Sequence, residues 1–303
     1  MRTWVMLLAL AVALAACRVG VSRDLYVNNV IGNDRLSGMR ELSNERQGPV
    51  RSIQRALRLT QPGDHVHIAR TDAPYREQIS ISGPCLRGRA DRPFIISGNG
   101  AVLDGTVVAE QGAWQHEAGD VFALRPRRLA YQQLYRGTAP AKRVRLVDFT
   151  AVDERLQPLE WALASDRILF RVERGQLPAA YELRHAGLQT GITLYNTEHV
   201  RIENLVIQGF QQDGINAHDL ARDCVIAGVE CRANGRSGIS VGGLSRITIS
   251  GSNLYDNGVA QLRVEDQARV ALDGCDVAES PEALAYDVQG GELTINGKLY
   301  VAP

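Results

Sequence analysis

The chain has 303 residues, and its 34 Lys+Arg balance 34 Asp+Glu to leave no formal net charge at pH 7. That balance excludes the basic field a nucleic-acid partner would need and the acidic tail a basic partner would need. Hydrophobic residues make up 45%, an ordinary share, enough to pack one large domain or two modest ones.

Residues 1 to 17, MRTWVMLLALAVALAAC, open with Arg2 and continue in an apolar run from Trp4 to Ala13. That run is too short to cross a bilayer comfortably and reads as an export signal. Its end, Leu14-Ala15-Ala16-Cys17, resembles the bacterial lipoprotein signal, in which small residues admit the peptidase and the cysteine becomes the lipidated first residue. The resemblance implies an exported chain held to a membrane only by the lipid on Cys17. Arg18 stands where an aspartate favours inner-membrane retention, which directs the expectation to the outer membrane. No later segment is apolar enough to span.

Further along, Ile53, Ala56 and Leu57 are spaced as the apolar face of a short helix, with Pro49 expected just inside its start. Residues 106 to 189 hold Trp114, Tyr131, Tyr135 and Trp161, with prolines at 126, 140, 158 and 178. Runs such as RILFRV (167 to 172) predict a small β insertion there.

From residue 190 the sequence repeats. VRIENLVI from Val200, CVIAGVEC from Cys224, ITISGSNL from Ile247, VALDGCDV from Val270 and LTINGKLY from Leu293 follow one another at offsets of 24, 23, 23 and 23. A second series, GITL from Gly191, GINA from Gly214, GISV from Gly238 and QLRV from Gln261, keeps the same step. Alternation within each segment marks a strand with every second side chain inward. Ile192, Ile215, Ile239 and Leu262 then share one inward column, and Ile202, Ile226, Ile249, Leu272 and Ile295 share another. One repeat cannot bury its apolar face alone, whereas stacked coils can, each strand pairing with its equivalent one rung away. Asn204, Gly228, Gly251, Gly274 and Gly297 recur at a corner that demands positive φ.

Strands without helical periodicity in a 23-residue coil predict an all-β parallel solenoid, and these segments resemble the right-handed parallel β-helix superfamily, the pectin-lyase-like fold. The resemblance extends to LYVNNVIGND (25 to 34), GPVRSIQRALRLTQPGDHVHI (48 to 68), YREQISISG (75 to 83) and RPFIISGNGAVLDG (92 to 105). These look like the usual opening of such proteins: a first strand, a capping helix over the end of the solenoid, a Pro-Gly-Asp turn and the first coils. The implied organisation is a signal peptide at 1–17, the N-terminal cap and first coils at 18–105, the insertion at 106–189, and coils at 190–303. Of the remaining cysteines, Cys224 and Cys231 fall in inward columns and read as small buried hydrophobes. No Cys-x-x-Cys or Cys/His spacing predicts zinc.

The superfamily commonly carries its carbohydrate groove on the face formed by the second series, and the implied partner is a polysaccharide, with uronate-containing polymers among the candidates. Outward positions there give the column Thr193, Asn216, Ser240, Arg263, then Tyr195, His218, Gly242, Glu265, then the turn residues Asn196, Asp219, Gly243, Asp266. Asp219 and Asp266 lie two rungs apart, roughly 9.6 Å along the axis. That is close to the carboxylate spacing of inverting glycosidases, with Asp219 or Glu265 as acid and Asp266 as base. Elimination from a uronic acid would instead use Arg263, His218 and Tyr195. Tyr195, Asn216 and the aromatic Trp114 and Trp161 are candidates for holding sugar. No cofactor is expected; Ca²⁺ would suit a lyase, but no tight acidic cluster offers it a site. DGINAHD (213 to 219) and SGISVGG (237 to 243) resemble polygalacturonase motifs, but Ser237 replaces their histidine and the double aspartate between them is missing. A non-catalytic surface protein that binds carbohydrate is the alternative reading.

Overall fold

The computed structural model describes residues 21–44, 47–127, 131–280 and 283–301. The expected signal peptide and the expected lipidation of Cys17 lie outside them.

The chain winds into a parallel β-helix whose coils have three faces. Face A stacks Ile79–Ser82, Ile192–Tyr195, Asp213–His218, Ser237–Val241, then residues 260–266 and 284–290. Face B stacks Asp24–Val27, His65–Ile68, residues 94–97 and 200–203, Cys224–Ala227, Arg246–Ser250, then 269–272 and 292–295. Face C stacks residues 101–104 and 205–208, then Glu230–Arg232, Asn253–Tyr255 and Asp276–Val277. All these pairings are parallel. Each coil runs from A to B to C.

The inward columns are continuous. Ile79, Ile192, Ile215, Ile239 and Leu262 pair in direct succession, and so do Ile202, Ile226, Ile249, Leu272 and Ile295. Nearly all of these are closed off from solvent in one core. Vertical stacking of like side chains lets each apolar face be covered by its equivalent one coil away. Cys224 and Cys231 sit in that core as free thiols. Burial pushes the Cys224 thiol up to about 11 and the Cys231 thiol higher, so both behave as apolar filling.

Corners need another device, because the backbone turns there and leaves amides unpaired. At the corner between faces B and C, Asn204, Gly228, Gly251, Gly274 and Gly297 all take positive φ. Between faces C and A the solution is a buried amide ladder: Asn234 Oδ1 accepts from the Phe210 N–H at 3.2 Å, and Asn257 Oδ1 accepts from both the backbone and side-chain amides of Asn234 at 3.0 Å. The Asn257 side-chain amide in turn donates to Gln261 at 2.8 Å.

The helix is Ile53–Leu59, with Ile53, Ala56 and Leu57 buried against the first coil. It begins later than Pro49 suggests. Ser52 is the cap: its hydroxyl accepts from the Arg55 N–H at 3.2 Å, while the Glu77 carboxylate accepts from the N–H groups of Ile53 and Gln54. Together they satisfy amides that a helix leaves open at its start, so the helix begins after Ser52 and Pro49 stays outside it. Ser52→Ala should lower stability by about 1 kcal/mol, read as a shift in urea midpoint without a change in slope.

The insertion leaves at the corner between faces C and A. Its strands form two small antiparallel-rich sheets, one containing Trp114–Ala118, Val121–Leu124, Glu160–Leu163 and Ile168–Arg171, the other Thr106–Val108, Leu134–Arg136 and Leu183–Ala186. It docks on the next corners through Tyr135, whose hydroxyl donates to the Ala233 carbonyl at 2.9 Å, and Arg145, which donates to the Gly258 carbonyl at 3.2 Å. Gly235 permits the close approach: a Cβ there would lie 2.8 Å from the carbonyl carbon of Tyr131.

Candidate active site on face A

Outward residues of face A form one polar strip because strand alternation and coil register place them there. Thr193, Asn216, Ser240, Arg263 and Asp287 are successive partners. Arg263 is only 8% exposed. Its Nη2 donates to Glu265 Oε1 at 2.7 Å, and its Nη1 lies 3.5 Å from Asp287 Oδ2. The second oxygen of Glu265 accepts from the Ser240 hydroxyl at 3.3 Å. Glu265 therefore has both oxygens engaged. Gln289, its partner on the next rung, donates to Asp287 at 3.0 Å.

Beneath one edge of the strip lies a buried ion pair. Asp213 is fully enclosed and takes both arms of Arg236, Nε at 2.9 Å and Nη2 at 2.5 Å, along with the Ser237 hydroxyl at 2.6 Å and the Asn216 amide at 2.9 Å. The bond to Asp213 raises the Arg236 pKa further. Asn216 is thus oriented from below. Beside it, the Tyr195 and His218 rings meet at 5.0 Å on adjacent rungs.

At the corner between faces A and B, Asp219, Gly243 and Asp266 hold φ of 60°, 67° and 59°. Aspartate tolerates this left-handed turn better than most side chains. Gly243 is required for a second reason, since a Cβ on it would come within 2.7 Å of the Asp219 backbone. The Gly243 N–H donates to Asp266 Oδ2 at 2.8 Å, which draws that carboxylate back toward the Asp219 rung. Asp219 itself is open to solvent, with His218 Nδ1 at 3.5 Å from its Oδ1.

The residues expected from sequence thus fall into separate groups. Asn216, Arg263 and Glu265 share the strip, Tyr195 and His218 form its aromatic end, and Asp219 and Asp266 flank Gly243 at the corner. Trp161 stands apart: it is fully buried in the insertion with its indole N–H on the Ala141 carbonyl at 3.0 Å, so its ring is unavailable to a sugar. Trp114 is half-buried, packed against Phe170 in the same small core. Both tryptophans fill the insertion because a domain of that size needs large side chains to close a core.

Sequence reasoning missed Asp287, Gln289 and the pair of Asp213 with Arg236. Signals existed for both. Tyr286-Asp287-Val288 continues the alternation 24 residues after Leu262-Arg263-Val264, but Tyr286 replaces a branched aliphatic and hides the sixth rung. Asp213 and Arg236 are opposite charges 23 residues apart, one coil in this fold.

Among proteins of curated function, none matches the chain by sequence. Residues 190–297 match the family described as right-handed β-helix region. Of solved structures, one described as a glycoside hydrolase superposes with a TM-score of 0.60 at 11% identity, over 84% of this chain and 73% of that one. A pectate lyase, Pel9A, superposes with a TM-score of 0.43 at 11% identity, over 86% and 54%. The likeness to the first of these, at that identity, establishes the fold and no more. The three-faced stack of parallel strands and the match over its regular coils together make this chain a right-handed parallel β-helix.

Proposed function

We propose that the chain is an exported, lipid-anchored enzyme that hydrolyses a glycosidic bond of a polysaccharide laid along face A. The observation that carries this reading is the corner column Asp219, Gly243, Asp266. Two rungs separate the acids by roughly 9.6 Å along the axis, and the Asp266 carboxylate leans back across part of that distance to reach the Gly243 N–H. That lean shortens the separation toward the roughly 6.5–9.5 Å that leaves room for a water between acid and base. Asp219, with no arginine on its oxygens among the described residues, is the proton donor to the leaving oxygen. Asp266, oriented by Gly243, activates the water. Glu265 suits neither role, since Arg263 and Ser240 hold both its oxygens; it fixes Arg263 and Asn216 is fixed by Asp213, giving two preset polar contacts for sugar hydroxyls. Tyr195 offers a ring face at the strip's end. The neighbour of like fold described as a glycoside hydrolase supports the same reaction class, and residues 1 to 17 support export and lipidation at Cys17, with the outer membrane as destination.

Incubation with neutral and uronate-rich polysaccharides tests the reading. New reducing ends without unsaturated-uronide absorbance are expected, and NMR of the first product should show the inverted anomer. Absorbance together with reducing ends would identify elimination, in which case Arg263 and His218 become the reacting groups. Binding without cleavage would identify a carbohydrate-binding surface protein.

A further inference from the structure

A second cluster lies on face B, on the first rungs and away from the strip on face A. His65 and His67 stand two apart on the strand His65–Ile68, so both imidazoles project from the same outward surface. Asp24, the strand partner of His65, joins them from the rung above. One ligand atom from each of the three lies within 4.8 Å of the others. Asp24 Oδ1 is 2.7 Å from His67 Nε2 and 3.8 Å from His65 Nδ1. Tetrahedral ligands about 2.0–2.1 Å from a zinc ion are about 3.3 Å apart, so one distance falls about 0.6 Å below that value and the other about 0.5 Å above it.

The surroundings select which atoms face the centre. His65 Nε2 is 2.7 Å from the Ser97 hydroxyl, which itself donates to Glu203 Oε1 at 2.7 Å, and Arg201 Nε holds the other Glu203 oxygen at 2.6 Å. With its own proton committed to Glu203, Ser97 Oγ accepts from His65 Nε2–H. That tautomer leaves the Nδ1 lone pair turned toward Asp24. Such a relay from histidine to an oxygen acceptor is the usual support of a metal-bound imidazole. The other imidazole is held by stacking on Tyr26, with ring centroids 5.0 Å apart and planes 16° from parallel.

We propose that Asp24 Oδ1, His65 Nδ1 and His67 Nε2 bind one divalent transition-metal ion of the imidazole-preferring class, represented by Zn²⁺ and Co²⁺. Two imidazoles and one carboxylate disfavour Ca²⁺ and Mg²⁺, which take oxygen ligands. The bound ion pins Asp24–Val27 to His65–Ile68 at the end of the solenoid and keeps its remaining coordination positions toward solvent. The site is independent of the hydrolytic reading.

Calorimetric titration of the untagged full chain, first stripped with a chelator, tests this with Zn²⁺ and Ca²⁺, alongside Co²⁺ absorption spectra. Expected are one Zn²⁺ per chain, a tetrahedral Co²⁺ spectrum, a raised melting temperature with Zn²⁺, and no heat from Ca²⁺. His67→Gln and Asp24→Asn should each weaken Zn²⁺ binding more than about a hundredfold, and Ser97→Ala about tenfold, the loss usual for an outer-shell partner. His116→Gln, on the exposed hairpin of the insertion, should leave binding unchanged. Absence of Zn²⁺ uptake by the parent chain, or uptake undiminished in both ligand variants, overturns the proposal. Asp24 is 57% exposed at its side chain, so its variant reports on binding even where a histidine variant folds poorly.

Discussion

Asp219→Asn and Asp266→Asn should each lower turnover about a hundred- to ten-thousandfold, the usual worth of one positioned proton-transfer group. Amides keep the shape of the carboxylates but neither donate a proton to the leaving oxygen nor take one from water. Both side chains sit at left-handed corner positions that asparagine occupies readily, as Asn196 does on the equivalent rung above at φ 48°. The melting transition should therefore move little, and the loss should appear in kcat far more than in KM. For Asp266→Asn, the side-chain oxygen can still accept from the Gly243 N–H, so a fall in rate isolates charge from geometry. Unchanged turnover in both variants would remove the corner from the reaction.

Asp213→Ala should cost about 3–5 kcal/mol of stability, the penalty for leaving one member of a buried ion pair without its partner. Four donor groups converge on this carboxylate: two from Arg236, one from Ser237 and one from Asn216. Its removal strands the Arg236 guanidinium, whose side chain is 19% exposed, and frees Asn216 from below. Unfolding in urea reads the loss directly. The double variant Asp213→Ala/Arg236→Ala should recover part of it, because removing both charges also removes the desolvation that the pair opposes. Additive losses would mean that the two side chains act independently.

The solenoid was legible because its interior repeats. Ile215, Ile239 and Leu262 announce their stacking through identical chemistry at a fixed step, and the positive-φ corner announces itself through glycine. The helix position was legible from Ile53, Ala56 and Leu57, but its start was not, because the carboxylate that completes the cap comes from Glu77, on a segment that only folding brings near. The same reason hid Asp287, which enters the strip through a rung whose inward residue is an aromatic. Trp161 misled for a different cause: in the sequence a tryptophan in an insertion looks the same whether it faces a ligand or fills a core, and only the surrounding strands decide. The cluster of Asp24, His65 and His67 shows the limit most plainly, since the 40 residues between Asp24 and His65 form no metal-binding motif and the pairing of two strands creates the proximity.

The step of 23 residues between Gly243 and Asp266 has a consequence for engineering the corner. Because Ser237 pairs with Ala260 and Ile239 with Leu262, excising residues 237–259 would close the apolar columns up intact, but it would also put the Cβ of Asp266 where Gly243 stands, 2.7 Å from the Asp219 backbone. The coil that carries Gly243 is therefore a spacer that cannot be left out, since its glycine is what lets the next coil close over the Asp219 corner.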